Sequence, residues 1–211
     1  MNQEDIWAAL EIERRGVADL LGALPADDWE RPSLCAGWRV RDVAAHLALA
    51  TRVSVPRAMV DFVRARGSFD RFVRDTAIRH AGLPVGEIVA QVRESATSHR
   101  RAPATKPLDP LFDVLVHAQD IAVPLGLDRA MPPEAARACA THIWERGFPF
   151  HPQRRLRGLR LVATDVDWSA GEGDVVEGPV QALLLLLSGR PAALPGLRGA
   201  TDAARAGIRS T

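Results

Sequence analysis

Asp113 and His117 stand four residues apart in a segment that is otherwise apolar. On a helix that spacing sets both side chains on one face, one turn apart, and Asp120 extends the row. Leu111, Phe112, Val114, Leu115, Val116, Ala118, Ile121 and Ala122 make the segment apolar nearly all round, the mark of a buried helix. Its polar row must then be satisfied inside the protein, because an unpaired buried carboxylate is costly. His46 lies on a second apolar stripe with Val43, Leu47, Ala50 and Val53, so it also points inward. Two histidines and a carboxylate converging in a bundle make a three-ligand site for a divalent metal, with a position left for water or substrate. The metal ligands expected are His46, Asp113 and His117, a set that suits zinc and iron alike. Asp120 either orients His117 from behind or pairs with an arginine elsewhere. The same spacing describes a buried salt bridge and a hydrogen-bonded core histidine, and residue types alone leave those readings open.

The elements that must position these residues are mostly helical. Ile6, Leu10, Val17, Leu20, Leu21 and Leu24 recur at helical spacing, and Pro25 closes that first helix. A second is expected from about Val40 into the fifties. Its start is weakly capped, with Arg39 where Ser or Thr is preferred and Asp42 favouring the N-terminal dipole. Pro56 is expected to kink or end it. A third covers about Val85 to Ser98. The helix carrying Asp113 and His117 is expected to start with Asp109 as N-cap and Pro110 at its first position, and to end at Pro124 and Gly126. A fifth stretch runs from Pro133 to Arg146.

Gly147 to Gly158, with two prolines and several arginines, reads as a linker. Beyond it Leu159, Leu161 and Ala163 alternate with Arg160, Val162 and Thr164 as a strand would. Trp168 continues into a second short strand before a turn at Gly171–Gly173, and Gly178-Pro179 opens a helix through Leu187 that Gly189 stops. The expected fold class is α+β: a helical bundle over residues 1–150, then a small α/β domain over 151–211.

The 211 residues suffice to bury a full core, and 47% apolar with 25% charged residues is ordinary globular composition. Lysine and arginine number 27 against 26 aspartates and glutamates, a formal charge of +1. That balance, and the lack of a recognisable reading helix, argue against a nucleic-acid binder. Met1 to Leu10 carries acidic residues where a secretory signal has a basic start and an apolar run. The longest apolar run, Ala182 to Leu187, falls far short of the roughly 20 residues of a membrane helix. Two cysteines make no disulfide framework, so a cytoplasmic location is expected.

The segment Trp29-Glu30-Arg31-Pro32-Ser33-Leu34-Cys35-Ala36-Gly37-Trp38-Arg39-Val40-Arg41-Asp42-Val43-Ala44-Ala45-His46-Leu47 resembles the N-terminal signature of the mycothiol-dependent maleylpyruvate isomerase-like family, within the wider DinB-like group. Val116-His117-Ala118-Gln119-Asp120-Ile121 is similar to that family's second metal motif. Gly158-Leu159-Arg160-Leu161-Val162-Ala163-Thr164-Asp165, Trp168, Gly178-Pro179 and Gly189-Arg190 are similar to its C-terminal domain, so the likeness spans most of the chain in order. The resemblance implies a DinB-like up-down four-helix bundle carrying a metal, usually zinc with nickel or iron as alternatives, followed by a small α/β domain. It maps the family's histidine ligands onto His46 and His117 and its glutamate ligand onto Asp113. Aspartate reaches one methylene less, so the third bond is expected to be longer, water-mediated or absent.

The resemblance also implies mycothiol as thiol cosubstrate. The expected function is a metal- and thiol-dependent transferase or isomerase acting on a small electrophile. Arg190 matches a basic residue of the family's C-terminal domain, which would hold a carboxylate of substrate or thiol; a plain surface arginine is the other reading. The alternative function is a non-catalytic small-ligand-binding protein of the same fold with a weakened or absent metal site. Oligomeric state stays open, a homodimer being one option. Of the remaining residues, Cys35 lies in the first motif and either packs as a small buried hydrophobe or approaches the metal, Cys139 is expected in the core, and Trp29 and Trp38 are expected as packing. His80, His99, His142 and His151 are expected to face solvent. Arg154, Arg155, Arg157 and Arg160 are expected as a solvated linker.

Overall fold

The computed structural model describes residues 1–101 and 105–209. Helix α1 (Gln3–Gly22) is locked at its start by Asn2, whose side chain accepts from Asp5 N while the Asp5 carboxylate accepts from Asn2 N. Its inward stripe of Ile6, Leu10, Val17, Ala18 and Leu21 is buried. A 3₁₀ turn (Ala26–Glu30) buries Trp29 and leads to α2 (Val40–Leu49). Arg39 supplies no cap of its own. Instead Asp42, three residues on and 2% exposed, accepts the Arg39 N–H at 2.8 Å and both ends of its guanidinium.

α2 stops at Leu49, and Pro56 begins the next helix instead of ending this one. It lies in the first turn of α3 (Val55–Arg64), where a missing N–H costs nothing. α4 (Phe69–His80) follows, capped by Ser68. Neither helix was expected. α5 (Val85–Glu94) is four residues shorter than its pattern suggests, because Arg14 captures the Ser95 and Ser98 carbonyls at 2.8 and 3.0 Å. α6 (Leu108–Leu125) starts one residue before Asp109, whose carboxylate accepts the Lys106 N–H; Gly126, at φ +71°, ends it as expected.

α1 packs on α5 and α6, and α2 packs on the same two, which closes a four-helix core; α4 packs outside on α2, and α3 on α4. These elements form one unit, Asn2–Asp128, and Arg129–Thr211 forms the other. The break therefore falls some twenty residues before the expected one near residue 150. The cause is α7 (Pro133–Arg146), which packs against α9 (Val180–Leu187) and so belongs with the C-terminal elements.

In that second unit the expected linker holds a short helix, α8 (Pro152–Arg155), and Arg155 is no solvated charge. It donates to the carbonyls of Phe150 and Leu187 at 2.6 Å each. β1 (Leu159–Ala163) pairs antiparallel with β2 (Ser169–Gly171) and parallel with β3 (Asp174–Gly178), and β3 pairs antiparallel with β4 (Arg198–Gly199), giving the order β2-β1-β3-β4. Gly173 makes the β2–β3 turn possible. Its φ is +118°, and a Cβ there would lie 2.1 Å from the Gly158 carbonyl oxygen. α9, apolar but for Gln181, packs against α7, β1 and β3, and α10 (Thr201–Arg209) follows. The fold class is α+β, as expected. No helix among the described residues is long and apolar enough to cross a membrane.

Candidate metal centre

His46 comes from the last turn of α2, and Asp113 and His117 from successive turns of α6, helices that pack directly on each other. His46 Nε2 lies 3.3 Å from Asp113 Oδ1, and His117 Nε2 lies 3.5 Å from the same oxygen. The imidazoles meet edge to face with centroids 4.8 Å apart. All three donor atoms fall within 4.8 Å of one another.

These separations fit a metal. Two ligand atoms each about 2.0–2.1 Å from a tetrahedral zinc stand roughly 3.3 Å apart. Aspartate, one methylene shorter than glutamate, still brings Oδ1 to 3.3 Å from His46 Nε2. Burial pushes the Asp113 carboxyl up, but the charges of His46 and His117, a hydrogen bond from His46 and the nearby charge of Arg14 outweigh it and hold the carboxyl at about 2. Asp113 is thus a carboxylate at any pH near neutral.

Asp120 is fully buried and accepts from His117 Nδ1 at 2.8 Å. That bond puts the ring proton on Nδ1 and turns the Nε2 lone pair toward Asp113 and His46. Cys35 is a correction: it is no inert hydrophobe, since its Sγ donates to Asp120 Oδ2 at 3.0 Å and lies 3.7 Å from His117 Nδ1. A tight loop holds it there. Ser33 Oγ donates to the Trp38 carbonyl and accepts from Cys35 N, Gly37 takes φ +75°, and Leu34 N donates to the Asp120 carbonyl.

Cys35, His117 and Asp120 form a second cluster of ligand types. Its carboxylate already takes two hydrogen bonds and is sealed from solvent, so it suits a supporting role. By contrast His46 and Asp113 line a cavity of about 900 Å³ bordered by α3 and α4. A small molecule in that cavity would reach His46 and Asp113.

Trp38 does more than pack the loop. Its ring stacks 6.4 Å from His117 and lies edge-on 5.7 Å from His46, shielding both imidazoles. Arg14 was not foreseen as part of the site. Burial holds its guanidinium below the usual value, with the charge of Asp113 pulling the other way. Its signal was legible as a charge at a core phase of α1, between Leu10 and Val17.

Among the other histidines, His142 is 6% exposed and not solvent-facing, His80 bonds Gln91 Oε1 at 2.6 Å, and His99 stacks on Trp7. Cys139 is buried as expected, and both cysteines are free thiols. Arg190 lies in the second unit, where it donates to the Ser188 carbonyl at 2.7 Å and sits 5.9 Å from the Phe150 ring centroid.

Residues 10–122 match the model of the mycothiol maleylpyruvate isomerase N-terminal domain. The chain belongs to that family. The match runs from within α1 into the last turn of α6 and so takes in every residue of the cluster. Among solved structures the chain is similar to a mycothiol-dependent maleylpyruvate isomerase, with a TM-score of 0.66 and 17% identity over 95% of this chain and 94% of that one. It is equally similar to a histidine-to-alanine mutant of such an isomerase, with a TM-score of 0.65 and 16% identity over the same shares. At these identities the likeness establishes the fold. No curated protein matches the chain.

Proposed function

We propose that this chain is a metal-dependent enzyme that uses a low-molecular-weight thiol, mycothiol, to isomerise a small electrophile or to transfer sulfur to it. The observation that carries the reading is the convergence of His46, Asp113 and His117, whose donor atoms lie within 4.8 Å of one another beside a cavity, with both histidine nitrogens near a tetrahedral edge from Asp113 Oδ1. The similarity to a mycothiol-dependent maleylpyruvate isomerase supplies the thiol. Zinc is the proposed ion, and nickel or iron would accept the same donors. A reducing cytoplasm suits the free thiols.

When bound, the ion would favour the thiolate of a coordinated thiol and act as Lewis acid toward a substrate oxygen. Asp120 keeps His117 in the tautomer that presents Nε2, and Cys35 holds Asp120 in place. Trp38 keeps water from one side of both imidazoles. In isomerisation the thiolate adds to an activated carbon–carbon double bond, rotation follows about the resulting single bond, and elimination returns the thiolate. In transfer the sulfur remains attached and a leaving group departs.

The test is turnover of zinc-loaded protein with mycothiol and a panel of electrophiles that includes maleylpyruvate. Turnover that needs both metal and thiol, and that His117→Ala abolishes, is the expected result. Metal-loaded protein that binds ligands tightly but turns over none of them would replace this reading with a binding protein.

A further inference from the structure

The cavity beside His46 and Asp113 lies wholly within the Asn2–Asp128 unit. At about 900 Å³ it is at the upper end of sites that enclose a drug-sized molecule. Its walls include Leu49, Met59, Phe62, Phe69, Phe72 and Val73. Three of these are unusually open for apolar side chains, with Met59 66%, Phe69 46% and Phe62 41% exposed. Such a concentration of uncovered apolar surface marks a place that something apolar covers.

Asp61 is the buried residue of α3, held by Arg79 at 2.9 Å and Arg64 at 3.3 Å. Asp61 lines the same cavity beside Val55, Ala58, Met59 and Phe62, with its carboxylate paired to Arg79.

The charges on the lining are unequal in a useful way. Arg52 pairs with Glu94, Arg79 with Asp61, and Arg101 donates to the Thr105 carbonyl. Arg57 and Arg100 line the same cavity, are exposed, and have no ion pair among the described residues. An occupant with an anionic group would satisfy them.

We infer that this cavity binds a hydrophobic acid: a substrate whose reacting end lies at His46 and Asp113, whose apolar body lies along the phenylalanines, and whose anionic group meets Arg57 and Arg100. The inference deepens the proposed function and rests on it for the reacting end. A small dicarboxylate would leave most of the apolar wall uncovered. A hydroxyl-rich thiol laid along that wall would lose water from its hydroxyls without gaining partners.

The test is calorimetric titration of the zinc-loaded full chain with butyrate, octanoate and octanol, with zinc content measured on the same samples. If even half the usual gain per buried methylene is realised, octanoate binds at least ~10-fold more tightly than butyrate. Phe62→Ala/Phe69→Ala, at two exposed positions, is expected to cut that gain at least ~5-fold with zinc content unchanged. Octanoate is expected to outbind octanol, and Arg57→Ala/Arg100→Ala to erase that preference.

Equal affinity for butyrate and octanoate in zinc-loaded protein overturns the inference and leaves the metal reading intact. A preference over octanol that vanishes on stripping zinc but survives the arginine variant also overturns it, by placing the carboxylate on the metal. A dimer that octanoate does not disturb and that Phe62→Ala/Phe69→Ala dissolves would assign the face to a second copy instead. Retained octanoate binding in protein that takes up no zinc would sink the metal reading alone.

Discussion

Helices α6 and α3 use opposite arrangements of the same residue types. α6 buries its apolar residues on nearly every side and turns one polar row, Asp113, His117 and Asp120, into a hydrogen-bonded cluster inside the protein. α3 buries a single aspartate and leaves Val55, Met59, Val60 and Val63 half or more exposed. In α6 the polar atoms are held by partners on both sides, so their positions are over-determined. In α3 the buried aspartate is met from outside the helix by Arg79 of α4, and the apolar face can adapt to what it covers. The contrast separates the part of the unit suited to fixed chemistry from the part suited to recognition.

The largest expected effect separates the two helices outright. Asp113→Ala should weaken zinc affinity at least ~100-fold in a chelator competition, whereas Phe62→Ala should leave it unchanged. Asp113→Glu should retain binding, since it keeps a carboxylate ligand; zinc affinity unchanged in Asp113→Ala would mean that the carboxylate is a salt bridge only. Next, Asp120→Asn should cost about 10–100-fold in the same assay, because His117 loses the acceptor that fixes its tautomer.

Acidification should sharpen the picture further. Asp113, held at about 2, stays ionised down to pH 4, so metal lost between pH 7 and 5 must reflect proton competition for the imidazoles. A fall of about 10-fold in affinity per pH unit in that window is expected, and a flat profile would exclude histidine ligation.

The smallest effect belongs to α3. The Arg79 hydrogen bond, against the opposing push of burial, holds the Asp61 carboxyl below its usual value. A depressed carboxyl stabilises the fold above its unfolded value of about 3.9, and that contribution fades as pH falls toward the folded value. Asp61→Asn should therefore destabilise by about 1 kcal/mol at pH 7, given how exposed both arginine partners are. The difference in melting temperature from wild type should close below pH 4, with zinc affinity unaltered throughout.

The same contrast explains what could be read from the chain alone. The α6 row was legible because an all-apolar surround leaves no other place for its polar residues, and His46 was legible on its own apolar stripe. α3 was not, because Pro56 serves equally to end one helix or begin the next, and apolar residues at helical spacing imply burial that α3 does not have. The Cys35–Asp120 bond depends on a loop returning to the middle of α6, 85 residues on, and spacing along one helix carries no trace of it. The expected break near residue 150 failed for a related reason. An amphipathic helix such as α7 shows that it packs, but not against which neighbour.

The most direct test of the metal centre is elemental analysis of protein purified without an affinity tag, wild type beside His117→Ala. Near-stoichiometric zinc, nickel or iron in the wild type and its loss in the variant is the predicted result. A wild type that holds no metal, even after incubation with each of the three ions, would contradict the account and leave His46, Asp113 and His117 as a buried hydrogen-bonded cluster.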